Sequence, residues 1–128
     1  MNVLQTSTVS LDYNQPKYRL VQTWNGFSTS DVFRNAIDKS VEFTKSNKVT
    51  SILSDTLLQA VVKPEDTQYA AAVMPKLFMN GVKFMAFVMP KDVITQMSIN
   101  RFDKATNADN IQFFATVVEA TKWLDSKG

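Results

Sequence analysis

Gly81-Val82-Lys83-Phe84-Met85-Ala86-Phe87-Val88-Met89-Pro90 decides how this chain is read. Between the Gly and the Pro, every side chain but Lys83 is apolar, so there is no alternation between a wet and a dry face. A short apolar run between two breakers reads as a strand buried on both faces, in a sheet with helices packed on each side. The other elements are placed around that strand.

Upstream, residues 8–13 alternate, with Val9, Leu11 and Tyr13 on one side and Thr8, Ser10 and Asp12 on the other, as in a half-buried strand. Asn14-Gln15-Pro16 turns the chain into a second strand, residues 17–24, with Tyr18, Leu20, Gln22 and Trp24 on one face. The short connection predicts a hairpin. Asn25-Gly26 turns again, ahead of a helix capped by Ser28 or Ser30, with Asp31 in its first turn. Val32, Phe33, Ala36, Ile37 and Val41 form the apolar stripe of that helix, which runs to about Ser46 and ends at Asn47.

Residues 49–54 are a strand ending at Asp55, and residues 57–62 fall where a loop is expected. Pro64-Glu65-Asp66 starts a second helix with Tyr69, Ala70, Val73, Leu77 and Phe78 inward, and Pro75 is expected to kink or split it. After the apolar strand, Asp92 caps a third helix carrying Val93, Ile94, Met97 and Phe102. Residues 111–115 are the last strand, and Thr116 with Glu119 has capping-box spacing for a closing helix. The order ββαβαβαβα predicts an α/β fold. Its mixed five-stranded sheet has the hairpin at one edge, the 81–90 strand central and four helices around it. With no repeat or linker, a single domain is expected over residues 1–128.

Composition excludes more than it assigns. Apolar residues make up 45% of the 128, enough for one packed core. No run of about 18 apolar residues exists, so no membrane span is expected. The first sixteen residues contain no apolar h-region, so no secretory signal is expected either, and a cytoplasmic location fits. The chain has no Cys and no His. That excludes disulfides, thiol nucleophiles, thiolate or imidazole metal sites and a Ser-His-Asp triad, and leaves acid–base work to carboxylates, Lys or Tyr. The net charge of +2 comes without a cluster of basic residues, which argues against nucleic-acid binding. Three glycines, none spaced G-x-G, exclude a dinucleotide fingerprint. No cofactor is expected.

Local motifs add a resemblance. Trp24-Asn25-Gly26-Phe27, Phe33-Arg34, Leu53-Ser54-Asp55, Pro64-Glu65-Asp66, the Gly81 to Pro90 strand and the Glu119 to Leu124 segment follow one another in this order. Together they resemble a STAS-like family of the SpoIIAA-like fold, which STAS domains share with the more distant CRAL-TRIO lipid carriers. The resemblance implies a non-enzymatic domain that recognises a protein partner, or alternatively a carrier for a small apolar or lipid ligand. In regulatory STAS proteins, a Ser or Thr in an Asp-Ser-Ser-Gly-type motif is phosphorylated to break partner binding. The corresponding stretch here is Asp55-Thr56-Leu57-Leu58, which lacks the Gly and displaces the hydroxyl by one residue.

Candidate sites follow from these placements. In open α/β sheets ligands gather beyond the carboxyl ends of parallel strands, where Asp55 with Thr56, Lys91 with Asp92, and Thr116 are expected to form a polar rim. Helix capping and turn bonding account for the same residues without chemistry. Leu57, Leu58, Val61 and Val62 are too apolar for an ordinary loop. They form either a flap over the core or an exposed patch that docks a partner or a second copy of the chain. Met74, Met79, Met85, Met89 and Met97, with Phe78, Phe84, Phe87 and Phe102, are candidates for an apolar pocket. They also lie at core spacing, and a chain of this size is expected to leave little room for a large cavity.

Overall fold

The structure is a computed structural model of the chain, and it describes residues 1–60, 62–90 and 110–127. Strands β1 (Asn2–Gln5), β2 (Val9–Asn14) and β3 (Arg19–Gly26) are followed by helix α1 (Ser30–Ser46) and strand β4 (Ser51–Gln59). Then come α2 (Pro64–Met79), β5 (Phe84–Val88), β6 (Ile111–Phe114) and α3 (Val117–Lys127). The strands form a six-stranded sheet in chain order, β1 to β6. Pairings from β1 to β3 are antiparallel and those from β3 to β6 are parallel.

The α/β layout and the initial hairpin agree with the sequence reading, with one strand more. Segment Asn2–Gln5 adds itself outside the hairpin, pairing Leu4 with Leu11. Its polar ends and a register shift between Asn2 and Leu4 conceal the alternation, as is common in edge strands. The β5 strand is interior, between β4 and β6, but one place from the edge rather than central. The expected third helix, from Asp92, lies outside the described residues.

Side-chain alternation sorts the core into two layers. On one face, Leu20, Ile52 and Met85 are buried beneath Phe33 and Ala36 of α1 and Val73 and Leu77 of α2. On the other, Leu53, Ala86 and Val88 pack against Ala120 and Leu124 of α3, with Phe84 and Phe114 flanking Trp123. Both faces of β5 are therefore covered by helices, as its unbroken apolar run requires. Arg19 is buried on the α3 face, where its Nε donates to Ser51 Oγ at 2.9 Å and its Nη2 lies 2.9 Å from Asp125. Pairing and hydrogen bonding make that buried charge tolerable.

Local chemistry corrects several element ends. Thr29, not Ser28 or Ser30, is the N-cap of α1, accepting from Val32 N. Asn47 ends the helix as expected, its N–H donating to Phe43 O at 2.9 Å. Helix α2 runs unsplit through Pro75. Val73, Met74 and Leu77 are buried on either side of that proline, and their burial offsets the one backbone hydrogen bond that proline removes. Strand β4 continues to Gln59, so Leu57 and Leu58 belong to a strand rather than a loop.

Candidate functional site

Polar bonds fix α1 and α2 to each other above the sheet. Asp66, buried in the first turn of α2, accepts from Ser30 Oγ at 2.8 Å and from Arg34 Nε at 2.9 Å. The Ser30 bond, and then the Arg34 guanidinium, hold its carboxyl below the usual range, against the upward push of desolvation. Tyr69 of α2 donates to Asp38 of α1, and Asn80 Nδ2 reaches Thr44 Oγ1 at 3.1 Å.

Beneath this clamped pair the side chains do not fill the space. A cavity of about 480 Å³ lies between the sheet and the two helices. Its floor is made by Gln22 and Trp24 of β3, Ser54 of β4, and Met85 and Phe87 of β5. Phe33, Ile37 and Ser40 of α1 and Ala70, Val73 and Met74 of α2 form the roof. Thr56, Gln59, Met89 and Pro90 lie at the carboxyl-terminal ends of β4 and β5. Among the described residues that line it, none carries a charge. The expectation of little spare volume is thereby corrected.

A bulge in β4 shapes the same end. Thr23 pairs with Asp55 but Asn25 pairs with Leu58, so β4 takes three steps where β3 takes two. The extra residue inverts the alternation beyond it. Gln59 consequently lines the cavity, while Leu57 and Leu58 are 42% and 68% exposed.

The candidates from sequence are divided by this geometry. Asp55 accepts from Leu57 N at 3.1 Å within the bulge. Thr56 faces the cavity, and its hydroxyl donates to Val88 O at 2.8 Å. As neighbours on one strand the two point to opposite faces, so they do not converge on a common centre. Thr116 caps α3, accepting from Glu119 N at 3.2 Å and bonding the Glu119 carboxylate at 3.0 Å. Val62 is half-buried and lines the cavity, apart from the exposed Leu58. Val61, Lys91 and Asp92 lie outside the described residues, as do Met97 and Phe102. Of the Met and Phe set, Met74, Met85, Met89 and Phe87 line the cavity, whereas Phe84 faces α3 and Met79 is 84% exposed.

Among the cavity's polar residues, Gln22, Ser40 and Ser54 were not singled out from sequence. A signal was there. Gln22 stands between Leu20 and Trp24 on the dry side of its strand, and Ser54 follows Ile52 in the same way. A polar residue at a core position marks a partner or a ligand.

The backbone aligns with the structure of the anti-sigma factor antagonist SpoIIAA in its unphosphorylated form, with a TM-score of 0.68 and 12% sequence identity. The alignment covers 92% of this chain and 98% of that one. The fold is SpoIIAA-like. A DUF3478-family protein from Shewanella loihica PV-4, itself described as having a SpoIIAA-like fold, aligns with a TM-score of 0.58 and 12% identity over 94% of this chain and 98% of its own. No family model and no curated protein matches the sequence. The STAS-like resemblance of the local motifs thus agrees with the architecture. Within this SpoIIAA-like fold, no described helix is long and apolar enough to cross a membrane.

Proposed function

We propose that this chain is a non-catalytic binding domain that holds a small apolar ligand between its sheet and the α1–α2 pair. The observation that carries this reading is the cavity of about 480 Å³, whose described lining residues are uncharged and largely apolar. Small-molecule sites typically span about 300–1,000 Å³ and combine apolar walls with a few polar groups. Among the described lining residues no Asp, Glu, Lys or Tyr is present to move a proton, which supports binding over catalysis. Native mass spectrometry of the gently purified protein tests the reading. A low-mass molecule should accompany the wild type and be missing from Ala70→Phe, which places a ring in the cavity. Wild-type protein that is empty, and takes up no apolar compound, overturns it.

A second reading, recognition of a protein partner or a second copy of the chain, has its own support. Leu57 and Leu58 are exposed where β4 runs past its last pairing with β5, Asp55 with Val88. The shared fold of an anti-sigma factor antagonist adds weight to it. Light scattering at high concentration separates self-association from its absence: a wild-type dimer that Leu58→Ser converts to a folded monomer supports docking at this edge.

A further inference from the structure

The cavity floor carries two polar atoms that find no hydrogen-bond partner among the described residues. Ser40 donates its single hydroxyl proton to Ala36 O at 2.9 Å, so towards Gln22 it can act only as an acceptor. The Gln22 amide lies 2.9 Å from Ser40 Oγ and must therefore present its NH₂ there. This fixes the orientation of the amide and turns Oε1 away from Ser40. Neither Gln22 Oε1 nor Ser54 Oγ has a hydrogen-bond partner among the described residues, although both residues are 2% exposed. Among the described residues, no fully enclosed polar side-chain atom lacks a partner, so both atoms border open space, and the cavity is the space these residues line. Gln22 and Ser54 are also register partners on adjacent strands. Such strands lie about 4.8 Å apart, within reach of one bridging ligand atom.

Resting on the cavity reading above, we propose that the ligand is an uncharged apolar molecule whose buried end carries a hydroxyl group. Gln22 Oε1 can only accept, so it requires a donor. Ser54 Oγ supplies the complementary donor. A hydroxyl both donates and accepts, and so satisfies the pair with one oxygen. An ether offers no proton to Gln22. A carboxylate offers none either, and finds no cation among the described lining residues to offset its desolvation.

Two isomers that differ only in this property, octan-1-ol and 1-methoxyheptane, test the idea together with octanoate. Titrations followed by Trp24 fluorescence, in a Trp123→Phe background, report binding at the cavity wall. The alcohol should bind about tenfold more tightly than the ether, the difference made by one buried hydrogen bond. Gln22→Met removes the acceptor at similar volume and should bring the ratio close to one. Ser54→Ala should weaken the alcohol more than the ether, and gives the same test if Gln22→Met fails to fold. Equal affinity of the two isomers for the wild type, or tightest binding by octanoate, overturns this inference while leaving the cavity reading standing. Binding of none of the three overturns both.

Discussion

Asp66 of α2 is buried against Arg34 of α1, with its Oδ1 2.9 Å from the guanidinium Nε and its other oxygen on Ser30. These bonds depress the folded-state pKa of the carboxyl. The stabilisation is therefore complete above the unfolded carboxylate range, near 4, and is lost as pH falls through the lower folded value. Asp66→Asn should melt below the wild type at pH 7, and the gap should narrow as the pH is lowered towards 3. Calorimetry across that window is the check; a gap of constant size would show that the carboxylate charge does not hold the helices together.

The two ends of β4 should respond unequally to substitution. Ile52 is fully buried, so Ile52→Ala is expected to cost about 2–5 kcal/mol in urea unfolding. Leu58, beyond the bulge, is exposed, and Leu58→Ser should stay within about 0.5 kcal/mol of the wild type. A large loss at Leu58 would mean that the patch is part of the core.

Thr116 and Glu119 close α3 at its amino end by bonding each other and the Glu119 N–H. Thr116→Ala should lower stability by about 1 kcal/mol, and Thr116→Ser should restore most of it. Equal stability of all three proteins in urea would remove the Thr116 cap from the account.

Gly81 has φ +110°, and a Cβ built there meets nothing closer than Val49 O at 4.0 Å. Space is available, so any cost of Gly81→Ala comes from backbone conformation. A loss of about 1 kcal/mol is expected. An unchanged melting curve would show that the loop ahead of β5 tolerates a different path.

The order of strands and helices was legible because β2, β3, α1, α2 and β5 each bury apolar positions at strand or helix spacing. Element ends were harder wherever a neighbour overrode local preference. Leu57 and Leu58 read as a loop because the apolar pattern of the strand stops at Asp55, and a one-residue bulge cannot be seen in such a pattern. Pro75 read as a break, yet the packing around it keeps the helix whole. For the site, the surprise is a volume. The residues around the cavity are ordinary core residues at ordinary spacing, and nothing in their sequence states that α1 and α2 stand off the sheet. Gln22 and Ser54 were legible as inward-facing and polar, but without their register the two could not be joined.

Chain order in the sheet also bears on how the protein is made. Each described strand adds beside the one before it, and none must be inserted between two already paired. A nascent chain leaving the ribosome can therefore build the sheet by accretion, beginning with the β2–β3 hairpin, while α1 brings β4 into place. The exposed interval comes next. Until Phe84–Val88 emerges, the far edge of β4 is unpaired and Ile52 and Leu53 have no β5 neighbour. In that interval the unpaired edge of β4 is a template for pairing with another copy of the chain.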